Sequence, residues 1–490
     1  MRLSRTIAIA FALAGALTGC GDSTAPAIAI DVIGAPGDAF VSGQRLPPAG
    51  RLVRAATAEG LVAFDSGGGV VPALADRWIV TADGSSYIFR LRDGTWADGS
   101  NLTGESARDA LRAAIAGLRG TTLGQDLGAV SEVRAMAGRV VEIRLAYPVP
   151  DFLDLLAQPE LGLLGKGRAT GSMVLRRKEG LAQLIPVPPE QRGIPQPRSW
   201  KDSARTISLR AMPAADAIKS FDAGTIDAVF GGTVADYPLA VSAAGLGRRA
   251  LRMDPVAGLF GLAVQAGSGV LASPEGREAL AMAIDRDALA SDLGIREWQP
   301  TTRIVPVGMV DSPAGAQERW ADMDIAKRRT AAMTRLARWT VKGGDAIALR
   351  IALPMGPGGD TIWRRLAADL AAIGVRARRV GEGEAADLRL VDSVARYSRA
   401  DWFLNQFACG AGRGQCSAPA DAAAAAALRA PTQDARAQSL ATAIDELTQA
   451  NVFIPLGNPI RWSLVREPLP GFALNPWGWH PLSPIAMPPK

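Results

Sequence analysis

The residues of this chain whose types could do chemistry are few, and their spacing is informative mainly for what it rules out. The 490 residues include one histidine and three cysteines. Two cysteines, Cys409 and Cys416, stand seven positions apart in ACGAGRGQC, and the third is Cys20. A redox pair reads CxxC, and a zinc site needs more ligands than two thiols and the distant His480. Every Ser-His or Cys-His mechanism would depend on His480 alone, which reads as a surface or core residue. No GxSxG, P-loop, HExxH or SxxK pattern occurs, and the clusters GPGG, GAGRG and GEG do not satisfy GxGxxG. A periplasmic hydrolase would rest only on scattered carboxylates, such as Asp285 with Asp287 or Asp98 beside Gly99. The chain is therefore expected to carry no catalytic residue, metal or cofactor. One arginine remains of interest, because DSVARYSRADWFLNQF places Arg396 and Tyr397 just before the aromatic pair Trp402 and Phe403.

The amino terminus sets the compartment. MRLSR supplies a positive start and IAIAFALAGAL an apolar run too short to span about 30 Å of hydrocarbon. It reads as a secretory signal over residues 1–19. The run closes on Leu17-Thr18-Gly19-Cys20, which resembles a bacterial lipobox, so Cys20 is the expected lipidation site and 20–27 a tether. Two or more acyl chains, at roughly 0.8 kcal/mol per buried methylene, anchor a domain durably. No later run reaches eighteen apolar residues, so the membrane is met only through lipid. Gly21 is only a weak sorting cue, so inner and outer membrane both stay open. In an oxidising periplasm Cys409 and Cys416, joined by a glycine-rich loop, are expected to pair.

Composition bounds the rest. With 48% apolar residues over this length, two or three domains are expected. The net charge of +6 is mild and spread without a basic block, which gives no footprint for nucleic acid.

The elements that must position these residues alternate between β and α. AIAIDVIGAP begins as a strand, and RWIVTADGSSYIFRLRDGTWADGS reads as an antiparallel hairpin with Asp-Gly turns. ESARDALRAAIAGLRG is a helix stopped at Gly120, and RVVEIRLAYP a strand halted by Pro148. The proline-rich PVPPEQRGIPQPRSW forms a connector with no regular element. TISLRA, AADAIKSFDAG and IDAVFGG form a β-α-β unit with parallel pairing expected. SPEGREALAMAIDRDALASDLG reads as a helix capped by Ser273, and DTIWRRLAADLAAIG as one capped by Asp360. VRARRV and ADLRLVD are strands, and the helix QDARAQSLATAIDELTQAN leads to the strand VFIPL.

The order of four segments resembles a known family. ATAEGLVAFDSGGGVVPALADRW, FRLRDGTWADGSNLTGES, FDAGTIDAVF and REALAMAIDRDALA are similar to successive landmarks of the family 5 extracytoplasmic solute-binding proteins, the dipeptide/oligopeptide-binding components of ABC transporters. The resemblance implies an α/β fold of the periplasmic-binding-protein-like type II, two lobes around a cleft with a small β-rich insert. Its expected limits are 28–60, 166–255 and 472–490 for lobe I, 61–165 for the insert and 256–471 for lobe II. It also implies a monomer that delivers a small molecule or peptide to an ABC permease and its ATPase. A sensor or assembly factor of the same fold, working without a transporter, is the alternative. Asp285 and Arg286 would form a structural ion pair in lobe II.

In peptide-binding members, an Ala-Asp-Tyr triplet precedes a Phe-Leu-Asn-like run, and its aspartate holds the peptide ammonium. Aligned on Phe403-Leu404-Asn405, the triplet here is Ala395-Arg396-Tyr397. The resemblance thus places Asp392, Ser393, Val394, Arg396, Tyr397 and Trp402 at the ligand, with a guanidinium that favours a carboxylate, phosphate or sulfate. Asp392 and Asp401, each within five residues, could instead pair with Arg396. No Gly-Pro-Tyr segment follows the insert; only Gly171-Ser172 stands near its place.

Overall fold

The computed structural model describes residues 27–165, 168–242, 250–296, 298–309, 318, 320–340 and 347–487. The leader and Cys20 lie outside them. Two large sheets and one small sheet organise the chain. The first has seven strands in the order Met173–Lys178, Leu181–Pro186, Ile207–Met212, Ile28–Ile33, Ala228–Gly232, Trp462–Val465 and Leu251–Met253. Its centre is the opening strand, whose Ile28, Ile30 and Val32 are buried. That strand pairs in parallel with Ile207–Met212 on one side and with Ala228–Gly232 on the other. The helix Ala214–Asp222 makes the crossover between them. The expected parallel unit is present, with the opening strand inserted between its two strands. Asp31, in register with Arg210, is buried and accepts two hydrogen bonds from that guanidinium.

The second sheet runs Arg376–Val380, Ala348–Ala352, Leu388–Val394, Gly258–Val264 and Phe453–Gly457. Every residue of Gly258–Val264 is buried, as a strand covered on both faces requires. The helices Pro274–Ala283, Arg286–Leu293 and Pro357–Ala371 join its core. A third sheet, Ala75–Val80, Ser86–Leu91, Val140–Leu145 and Val130–Met136, is antiparallel throughout. The helix Gly104–Gly117 packs on it, started by a capping box in which Thr103 accepts from the Ser106 amide and Ser106 accepts from the Thr103 amide. The core of this small sheet continues into the helices Ala400–Asn405, Ala418–Leu428 and Gln433–Ala450, through Trp402, Phe403, Leu440 and Ile444.

Several local expectations change. The strand Trp462–Val465, inside the 256–471 expected for lobe II, pairs instead with Ala228–Gly232 and Leu251–Met253 of the first sheet. The single helix after Ser273 is two, because the Asp285 carboxylate accepts from the Ala288 amide and starts a second. Asp285 and Arg286 therefore do not pair with each other. The buried Arg286 donates to the carbonyls of Pro455, Ala281 and Ile284. Asp360 is not a cap, since its helix already begins at Pro357, and it pairs with Arg379. The proline-rich connector holds two single turns, Pro189–Arg192 and Trp200–Ser203.

Candidate functional site

A cleft of about 390 Å³ opens where the two large sheets and the insert meet. From the first sheet come Val32, Phe230 and Gly231, each at or near the carboxyl end of its strand. Helix Pro48–Thr57 adds Arg51 and Leu52, and the insert adds Thr122, Gln158 and Glu160. The opposite wall is the end of strand Leu388–Val394 and the residues after it. A late loop closes the cleft with Trp477, Trp479 and His480. Gly478 in that loop has φ of +64°, and a Cβ there would come within 2.5 Å of the Arg461 side chain, so the turn requires glycine.

Three arginines line the cleft, and each meets an acid. Arg51 Nε lies 3.1 Å from Glu160 and its Nη2 donates to Gln158 at 3.3 Å. Arg461 Nη1 donates to Asp392 Oδ1 at 2.7 Å, and its Nη2 donates to the Asp392 carbonyl at 3.2 Å. Arg396 Nη1 donates to Asp126 Oδ2 at 2.9 Å, and its Nη2 donates to the Thr122 hydroxyl. Neither neighbour expected from the sequence is its partner: Asp392 pairs with Arg461 and Asp401 with Arg436. The acid that holds Arg396 comes from the insert, 270 positions away. The Asp126 side chain is fully buried, and burial pushes its pKa up to about 6 even though Arg396 works against the shift.

Aromatic and unpaired polar groups complete the lining. Trp477 and Trp479 pack against Phe64, and Trp477 Nε1 donates to the Gly68 carbonyl at 2.9 Å. The indole N–H groups of Trp402 and Trp479 have no hydrogen-bond acceptor among the described residues, and Glu160 Oε2 has no donor. His480 is buried, with Nε2 3.3 Å from Asp254 Oδ2 and ring contacts to Phe230 and Phe472. It is a core residue at the cleft edge.

Of the residues expected at the ligand, Asp392, Ser393, Val394, Arg396 and Trp402 line the cleft together. Tyr397 does not: it turns inward, its hydroxyl accepts from Asn405 at 3.3 Å, and it lines a different pocket. The chain leaves the strand at Val394, and in the bend that follows Arg396 faces the cleft while Tyr397 faces the second pocket. Sequence reasoning missed Arg51, Glu160, Arg461, Trp477 and Trp479. The aromatic-rich NPWGWH was the available signal for the last two. Cys409 and Cys416 are joined in a disulfide beyond the aromatic helix.

Comparison with known proteins adds family and fold. Residues 69–174 match the model described as bacterial extracellular solute-binding proteins, family 5 middle. The match is confined to this segment, which is similar to the family 5 solute-binding proteins. A curated relative from Escherichia coli K12, "Probable deoxycholate-binding periplasmic protein YgiS", is 35% identical over 125 residues, which cover 21% of this chain. The match spans about a quarter of that relative, 23% of its length. Among solved structures, Haemophilus influenzae OppA in complex with RPPGFSPFR has TM-score 0.79 at 17% identity, covering 94% of this chain and 98% of that one. The Escherichia coli murein tripeptide binding protein MppA has TM-score 0.78 at 17% identity, covering 94% and 97%. AgaA in complex with agropinic acid, from A. tumefacien R10, has TM-score 0.74 at 17% identity, covering 94% and 97%. At these identities the likeness establishes the type II binding-protein fold. No described helix is long and apolar enough to cross a membrane.

Proposed function

We propose that this chain is a periplasmic solute-binding protein, lipid-anchored through Cys20, that captures a small ligand in the cleft and delivers it to an ABC permease and ATPase for import. It acts as a monomer of two lobes and a β-rich insert, and ligand capture closes the lobes on each other. The observation that carries the reading is the cleft itself. It draws its lining from both large sheets and the insert, so a solute held there touches all three.

The ligand is peptide-like or an acidic peptide-related compound. Two indole N–H groups without acceptors, on Trp402 and Trp479, suit carbonyl or carboxylate oxygens. Trp477, Phe230 and Leu52 supply apolar surface. Because Arg396 is already paired with Asp126, an anionic ligand would have to compete for it, and the lining offers oriented donors rather than an unpaired charge. The similar proteins are described with RPPGFSPFR, a murein tripeptide, agropinic acid and deoxycholate, each of which carries a carboxylate.

Native mass spectrometry of the purified protein, followed by thermal shift against peptides, opines and bile acids, tests the reading. A retained solute, or a saturable rise in melting temperature with one compound class, is expected. The absence of both a retained solute and any shift would overturn it. Replacing Ser393 by Trp should fill the cleft and abolish the shift without unfolding the chain.

A further inference from the structure

A second pocket, of about 260 Å³, lies between the insert and the helices that follow Arg396. It is separated from the cleft by the Arg396–Asp126 pair. Arg396 lines the cleft, whereas Asp126 and Tyr397 line the second pocket. Its apolar side is Val149, Leu404, Ala424, Leu428 and Leu447, and its polar side holds Asp126, Asp401, Asp421 and two tyrosines, Tyr147 and Tyr397.

Most of these polar atoms already have partners. Asp401 is held by Arg436, Asp421 accepts from the Cys409 amide at 2.9 Å, and Arg399 lies 3.6 Å from Asp151. The Asn405 amide donates to the Tyr397 hydroxyl at 3.3 Å. One group is left over. Asp126 spends Oδ2 on Arg396, and its Oδ1, fully buried, meets no donor at hydrogen-bond distance among the described residues, although the nearby Asn405 amide also favours the carboxylate. A buried carboxylate oxygen without a donor is costly, and a charged donor is the partner that relieves it best.

Arg396, Arg399, Arg413 and Arg436 stand against Asp126, Asp151, Asp401 and Asp421, so these charges balance in number. The acids also act on the phenols. Burial, and then Asp401, raises the pKa of Tyr147. Burial, followed by Asp126 and Asp401, raises that of Tyr397. The two tyrosine rings and the apolar wall suit the hydrocarbon part of a cation.

From this geometry we infer that the pocket between the insert and the Ala418–Leu428 helix is a second ligand site. It takes a small organic ammonium ion whose N–H donates to Asp126 Oδ1 while its apolar body lies against Tyr147, Tyr397 and Leu428. The site is distinct from the cleft, and the inference does not depend on what the cleft binds.

Calorimetric titration of the full chain with phenethylamine, against 2-phenylethanol as the neutral counterpart of similar shape, tests the assignment at pH 8. The amine should bind saturably and the alcohol should not. Asp126→Asn should weaken the amine about tenfold or more. Ala424→Phe, which fills the pocket from its helix, should abolish amine binding, while Ser393→Trp in the cleft should leave it unchanged. The assignment is overturned if the amine does not bind, if the alcohol binds equally well, or if Ser393→Trp blocks the amine and Ala424→Phe does not. Should Asp126→Asn fail to fold, the two wild-type titrations and the Ala424 and Ser393 variants still decide.

Discussion

Arg461 and Arg396 both line the cleft with similar hydrogen-bond lengths, yet they do different work. Arg461 meets Asp392 of the adjoining sheet, and both side chains keep some access to water, 16% and 21% exposed. Arg396 reaches out of its own sheet to the insert, where the Asp126 side chain has no exposure at all. The first pair joins the first sheet to the second in partial contact with water. The second fastens one part of the molecule to another, and it does so with a charge that water cannot stabilise. A buried acid depends on its cation far more than a half-wet one does.

The contrast is most directly broken by deleting each arginine. Arg396→Ala leaves Asp126 buried without its cation and should cost about 3 kcal/mol at pH 8, read from urea denaturation. The cost should shrink at pH 5, where a protonated Asp126 no longer needs a cation. A cost equal to that of Arg461→Ala at both pH values would end the distinction.

Next in size is the disulfide that follows the aromatic helix. Replacing Cys409 and Cys416 together by Ser should lower stability by about 2.5 kcal/mol on the chain-entropy estimate. The loss should fall on the helices after Ala400 first, which amide exchange can localise.

The pH dependence sharpens the same comparison. The folded pKa of Asp126, about 6, lies above the ordinary carboxylate value of 3.8. Between those values the folded chain holds a proton that the unfolded chain releases, so this group's contribution to stability rises as pH falls through 6. Going from pH 7 to pH 5 should add about 1 kcal/mol, and Asp126→Asn should remove that gain. Other raised acids, such as Asp154 at about 7, contribute to both proteins and cancel in the difference. A wild-type curve parallel to that of Asp126→Asn would refute the assigned shift. The smallest effect should be that of Arg461→Ala, about 1 kcal/mol or less, because the remaining Asp392 can still be hydrated.

What could be read from the sequence was the part encoded locally. Ile362, Leu366, Leu370 and Ile373 announce a helix face, and all four are buried. The hairpin around Asp83-Gly84 is legible from its turn and from the alternation of Tyr87, Phe89 and Leu91. The break at Asp285 was not, because the apolar period runs on through Ile284 while a carboxylate captures the amide three residues ahead. Ala418–Leu428 was missed because APADAAAAAAL has high helix propensity but no apolar face to mark its period. The stretch around Arg396 lines the cleft, but the partner of Arg396 was not legible. Asp126 sits in an unremarkable QDLG, and no local pattern connects positions 270 residues apart.

The strand Trp462–Val465 has a consequence for how the chain must assemble. It pairs with Ala228–Gly232, which pairs with the opening strand Ile28–Ile33, so the first sheet draws on both ends of the chain. A polypeptide emerging amino end first would therefore carry an open hydrophobic edge through nearly all of its synthesis. Such long-range closure is intrinsically slow. Truncation just before residue 462 should leave that sheet unfinished however well the second sheet forms.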